Sequence, residues 1–247
     1  VLLAEDNLVN QRLALGVLEP HGHQVTVANN GREAIALFET SEFDLILMDV
    51  QMPEMDGLEA TAAIRARKKE SGARIPIITM TAHAMKGDRE RCIEAGMDDY
   101  VPKPIRVREL IETLAAIIGT ERIAESAGET GAAEGDLIDW PTALDNVNGL
   151  QDLLIDLIQV VLTEYPPMLE SIRQAIDDGD AESLQRSAHS LKGAILFLGE
   201  TPASVIAQQL ENIGVAGDLG DASATFAAFD VQMECLKAEL NEHLHSH

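Results

Sequence analysis

Glu5, Asp6, Asp49, Thr81 and Lys103 are residues whose types combine into a reaction. Three carboxylates gathered at one point repel unless a cation neutralises them. An all-oxygen set with room for water suits Mg²⁺. Mg²⁺ binds phosphoryl oxygens and steadies charge during phosphoryl transfer. Lys103 would add a second positive charge, and the Thr81 hydroxyl a hydrogen bond to a phosphoryl oxygen. One carboxylate is then the nucleophile, as in aspartyl-phosphate chemistry. A second candidate lies far downstream, where His189, Lys192 and Gly193 fall close together. An imidazole in water with a cation one turn away could accept a phosphoryl group and have its charge screened.

The elements that position the first set read as alternating strands and helices. Short apolar runs at Val1–Ala4, Gln24–Ala28, Leu45–Asp49, Pro76–Thr81 and Tyr100–Val101 predict five strands. Helical spacing covers Leu8–Glu19, Glu33–Glu39, Leu58–Lys69, Lys86–Ala95 and Val107–Ile118. Strands that alternate with helices predict an α/β fold with a doubly wound, five-stranded parallel sheet. Glu5-Asp6 end the first strand, Asp49 the third and Thr81 the fourth, and Lys103 follows the fifth. The carboxyl ends of such strands share one edge, where ligands bind.

The second half shows no strand pattern. A short helix near Asp139–Pro141 leads into four longer stretches, which predicts an all-α helical bundle. Asn148 is expected to cap the second of these helices, and Pro166-Pro167 to kink or restart it. In the helix predicted over Ala181–Leu198, Leu184, Ala188, Leu191, Ile195 and Leu198 form the apolar stripe. At about 100° per residue, His189 falls about 140° from the stripe's centre, so it is expected to face solvent. Leu196, about 120° away by the same count, is expected to be exposed near it as a docking contact.

The two halves differ in charge. The chain has 247 residues and net charge −24, with 13 basic and 19 acidic residues in 1–118 against 5 and 23 in 119–247. That asymmetry supports a boundary near residue 119. So acidic a chain is a poor fit for nucleic acid or an anionic membrane surface, whose charges repel it. Between the halves, residues 119–135 are rich in Gly, Ala and Glu and read as a flexible linker, with a span of roughly 23 Å. The domains expected are therefore 1–118 and 136–247. No run reaches the length of a membrane span, and Cys92 and Cys235 match no metal spacing and read as reduced thiols. A cytoplasmic location is expected. The start inside an apolar run suggests a piece of a longer protein.

Two family resemblances follow from the motifs. Ala4-Glu5-Asp6-Asn7, Met48-Asp49-Val50-Gln51-Met52-Pro53-Glu54-Met55-Asp56-Gly57, Met80-Thr81-Ala82 and Pro102-Lys103-Pro104 resemble the response-regulator receiver domain. That resemblance implies a flavodoxin-like fold with Asp49 as phosphoacceptor. It implies that Glu5, Asp6 and Asp49 hold Mg²⁺, with the Gln51 main-chain carbonyl as a further ligand. It also implies that Thr81 and Lys103 contact the phosphoryl group, and that Tyr100 is a switch aromatic moving with Thr81. Glu5 departs from the Asp often found first in the acidic pair, and the small Ala82 would leave the phosphoryl pocket open. Ala188-His189-Ser190-Leu191-Lys192-Gly193, with Gly199 beyond, resembles the histidine phosphotransfer domain. That implies phosphorylation of His189, with Lys192 and Gly193 shaping a docking face. His21, His23, His83, His243, His245 and His247 fit neither motif and read as solvated.

The combination implies two-component phosphorelay signalling. Asp49 would accept a phosphoryl group from an upstream histidine kinase and pass it to His189, which would donate it to a downstream response-regulator receiver. The order of domains resembles the carboxyl-terminal part of a hybrid sensor histidine kinase, whose full-length parent could be anchored in the inner membrane. No ATP-binding kinase core is legible here. An alternative is an interaction switch in which the receiver gates the bundle and His189 carries nothing. A phosphatase of the haloacid dehalogenase type needs a second Asp two residues after the nucleophile, and that position holds Gln51.

Overall fold

The computed structural model of the chain describes residues 1–67, 74–81, 86–118 and 137–246. The expected linker, Ala82, His83 and His247 lie outside the described residues. The chain divides into two compact units, Val1–Ser126 and Ala127–His247.

Unit one has five strands, β1 (Leu2–Ala4), β2 (Thr26–Ala28), β3 (Ile46–Asp49), β4 (Ile77–Thr81) and β5 (Asp99–Pro102). Their helices are α1 (Leu8–Leu18), α2 (Gly31–Thr40), α3 (Gly57–Ala66), α4 (Lys86–Ala95) and α5 (Val107–Ile118). The sheet is wholly parallel, in the order β2-β1-β3-β4-β5. β1 and β3 are buried throughout, as strands covered on both faces must be. Leu2, Ala4, Ile46, Met48 and Ile77 pack on one face with Ala34, Phe38, Ala60 and Ile64 from α2 and α3.

The first three helices each start on a side chain that replaces a missing intrahelical acceptor. Asn7 accepts from Val9 N and Asn10 N at the head of α1. Asn30 accepts from Glu33 N, and Asp56 from Glu59 N. Gly57 opens α3 because nothing larger fits. A Cβ there would lie 2.0 Å from the Asp49 carbonyl oxygen.

Unit two is the predicted bundle. After a short α6 (Trp140–Asn146) come α7 (Gln151–Asp178), α8 (Ala181–Ile195), α9 (Pro202–Ala216) and α10 (Ala222–Ser246). Each of the four long helices packs on its chain neighbour, and α10 closes the ring on α7.

Three local expectations are corrected here. α7 runs unbroken through Pro166 and Pro167 rather than restarting. An interior proline costs about 3 kcal/mol. Burial of a large apolar side chain returns about 1.5–3 kcal/mol each, and α7 buries Leu154, Leu157, Ile158, Val161, Tyr165, Leu169 and Ile172 along one face. Asn148 does not cap α7. Its φ is +55, and Leu150 occupies the cap position without a side-chain bond. The last turn predicted for α8 tightens into a 3₁₀ turn at Leu196–Leu198.

Candidate functional site

Strand register assembles the first site. Ala4 pairs with Met48, so Glu5 emerges level with Asp49. Asp49 pairs with Met80, which places Thr81 one residue beyond it on the adjoining strand. Thr81 pairs with Pro102, and Lys103 follows. Parallel neighbours lie about 4.8 Å apart, so residues distant in sequence meet at one edge.

The side chains do meet. Ligand atoms of Glu5, Asp6 and Asp49 all lie within 4.8 Å of one another. Lys103 Nζ donates to Asp49 Oδ2 at 2.7 Å and sits 2.9 Å from Glu5 Oε2. Glu5 is 0% exposed and Asp49 3%. Burial, then the charge of Glu5, pushes the Asp49 carboxyl up to about 8, with Lys103 opposing. The same two causes push Asp6 up to about 6. Burial works against the charge of Lys103, but Asp49 and Glu5 overcome it and raise its pKa. Thr81 is half-buried, and its carbonyl accepts from Lys103 N at 2.7 Å. Gln51 is exposed, and its main-chain N–H points at Asp49 Oδ1 from 3.4 Å. Tyr100 is half-buried on β5.

A hard divalent cation fits this set. The donors are carboxylate oxygens, and three carboxyl groups share one lysine. Glu5 Oε2 is buried with no hydrogen-bond donor aligned on it among the described residues. Lys103 Nζ lies 2.9 Å from that oxygen as an ion pair.

The second site departs from the helical-wheel expectation. His189 does not face open solvent. Its side chain is 12% exposed because α9 lies over it. Nδ1 lies 2.8 Å from Glu211 Oε1. Lys192 is turned inward as well. Its side chain is 7% exposed, and Nζ donates to Glu211 Oε2 at 2.6 Å and Gln208 Oε1 at 2.9 Å. Leu196 is half-buried rather than exposed, and Gly193 is half-buried. Burial opposes the charge on Glu211, yet hydrogen bonds from His189 and Lys192 outweigh it and hold its pKa at about 2.

Glu211 was missed by sequence reasoning. The available signal was that it is the one charged residue in α9, flanked by buried Ala207, Leu210 and Gly214. His243 also departs from its expected solvation. It stacks on Trp140 with ring centroids 3.7 Å apart.

Comparison with known proteins follows this division. A family model described as the response regulator receiver domain matches residues 1–115, and one described as the Hpt domain matches residues 156–245. The sensor histidine kinase GacS of Pseudomonas protegens is 34% identical over 238 residues, covering 93% of this chain and 25% of that protein. The signal transduction histidine-protein kinase BarA of Escherichia coli K12 is 30% identical over 216 residues, covering 85% of this chain and 23% of that protein. The chain thus spans about a quarter of the length of these relatives. The receiver domain of a Pseudomonas aeruginosa PAO1 sensor histidine kinase, solved with magnesium coordinated in its active-site cleft, is 45% identical. It covers 48% of this chain and 96% of that one, with a TM-score of 0.44. This chain belongs to the two-component phosphorelay proteins, with a response regulator receiver domain followed by an Hpt domain.

Proposed function

We propose that Asp49 receives a phosphoryl group from a histidine kinase and passes it to His189, which donates it to a downstream receiver. The observation that carries this reading is the edge cluster, with Lys103 2.7 Å from Asp49 and 2.9 Å from Glu5. The chain serves as the relay portion of a hybrid sensor histidine kinase. Receiver and Hpt domains imply a kinase and a response regulator as partners. Among the described residues no helix is long and apolar enough to cross a membrane, and we place this portion in the cytoplasm. The functional domains are 1–118 and 136–247, joined by 119–135.

Asp49 Oδ attacks phosphorus, and the bond to the kinase histidine breaks as the new P–O bond forms. Lys103 counters the charge that gathers on Asp49 and the phosphoryl oxygens. The Thr81 hydroxyl binds one phosphoryl oxygen, and Tyr100 moves with it. Glu5, Asp6, Asp49 and the Gln51 carbonyl would hold Mg²⁺, which supplies neutralising charge for phosphoryl oxygens. For the next transfer, the Glu211 carboxylate accepts a hydrogen bond from His189 Nδ1–H. That fixes the tautomer and leaves Nε2 as the nucleophile. Lys192 holds Glu211 in place, while Gly193 and Leu196 border the surface a receiver approaches.

The test is to label Asp49 with a small phosphodonor and Mg²⁺ and follow the label. It is expected on His189 and then on an added receiver. If His189→Gln still passes label onward, His189 is not the carrier, and the receiver acts instead as a gate on the bundle.

A further inference from the structure

Position 5 holds glutamate, a methylene longer than aspartate, in a place with no exposure at all. Asn10 explains how it fits. Asn10 lies in the first turn of α1, itself 6% exposed, and its Nδ2 donates to Glu5 Oε1 at 3.1 Å. The main-chain N–H of Asn7 donates to the same oxygen at 3.2 Å. Gln11 Nε2 fixes the backbone below, donating to the Glu5 carbonyl at 2.6 Å and to Asn29 Oδ1 at 3.0 Å. One carboxylate oxygen of Glu5 is therefore tied to α1. The other, Oε2, faces Lys103 at 2.9 Å with no aligned hydrogen-bond donor among the described residues.

We propose that Asn10 is a positioning residue that holds Glu5 Oε1 and so turns Oε2 toward Asp6 and Asp49. This rests on the reading of Glu5, Asp6 and Asp49 as a divalent-cation site. A carboxylate rotates freely about its last bond unless one oxygen is held. Without the Asn10 amide, Oε1 keeps only the longer bond from Asn7 N. The group can then swing so that both oxygens turn toward Lys103. Buried hydrogen-bond partners of a metal-binding carboxylate set its orientation and hence the affinity of the site. The longer side chain is what makes the contact. An aspartate at position 5 ends one methylene short of Asn10, so Glu5 and Asn10 work as a matched pair.

The experiment is a calorimetric Mg²⁺ titration of the full 247-residue chain and of three variants, Asn10→Ala, Glu5→Asp and the double variant. Thermal melts in EDTA show that each is folded. Asn10→Leu, which keeps the volume, replaces Asn10→Ala should that variant unfold. Asn10→Ala is expected to weaken Mg²⁺ binding about tenfold. In the Glu5→Asp background the same change is expected to alter it by less than about twofold, because uncoupled sites do not interact. Equal affinity for the Asn10→Ala variant and the parent overturns the proposal. So does an equal loss in both backgrounds, which makes Asn10 a part of α1 only. Failure of the parent chain to take up Mg²⁺ overturns the cation site itself, and the proposal with it.

Discussion

A carboxylate that serves both His189 and Lys192 from under a helix is costly to place and costly to remove. Breaking a buried pair by deleting one partner costs about 3–5 kcal/mol. Glu211→Gln should therefore lower stability by about 3 kcal/mol in urea denaturation at neutral pH, since it leaves the Lys192 ammonium with Gln208 as its described acceptor. The acid limb should change too. The folded pKa of Glu211, about 2, lies below its ordinary value of 4.5. Its ionised form thus favours the fold. That contribution is complete above about pH 4.5 and is lost as pH falls toward 2. Denaturation curves from pH 6 to pH 2 should show a steeper loss for the parent than for Glu211→Gln, and parallel curves would count against the pairing. Lys103 poses the reverse case. Lys103→Ala leaves Glu5 and Asp49 buried together without their cation, so melting in EDTA should drop by several degrees. Added Mg²⁺ should then raise the melting temperature of this variant more than that of the parent, because a ligand stabilises the state it binds.

At the level of elements, the sites depend on close approaches that only glycine allows. Gly57→Ala would drive a Cβ to 2.0 Å from the Asp49 carbonyl, so the end of β3 must shift. Phosphorylation of Asp49 by a small phosphodonor should fall at least about tenfold, since small displacements in a positioned site carry penalties of that size. Gly214 plays the same part in the bundle. A Cβ there would meet Gln185 N at 2.6 Å and Ala181 O at 2.8 Å, both main-chain atoms of α8. Gly214→Ala should push α9 outward and weaken the reach of Glu211 to His189, visible as a changed His189 imidazole signal by NMR.

The strand-edge site could be read from the sequence because each of its residues follows its own apolar run, and parallel topology brings those ends together. The bundle site could be read only in part. The motif located His189, but the helical wheel considered one packing face of α8. That helix packs against both α7 and α9, and the second neighbour buries His189 and Lys192. Which helix covers which face is a tertiary fact that periodicity within one segment does not carry. The helix does not restart at Pro166-Pro167 for a related reason. The local cost of the two prolines is offset by the apolar face that α7 buries.

Across the whole chain, the two halves are acidic to different degrees, net −6 over residues 1–118 and net −18 over residues 119–247. Like charges slow the encounter of separate molecules, and salt screens that repulsion. Transfer between a His189→Gln copy and an Asp49→Asn copy, each intact at the other position, should therefore speed up as salt rises from low to physiological strength. The central claim is that Asp49 and His189 are successive stations of one phosphoryl group. The most direct measurement follows ³²P from Asp49 in time, using the parent chain beside Asp49→Asn and His189→Gln. The account predicts acid-labile, base-stable label rising at His189 as the Asp49 label decays, with none on His189 in the Asp49→Asn chain. Decay of the Asp49 label to free phosphate, with His189 unlabelled throughout, would contradict it.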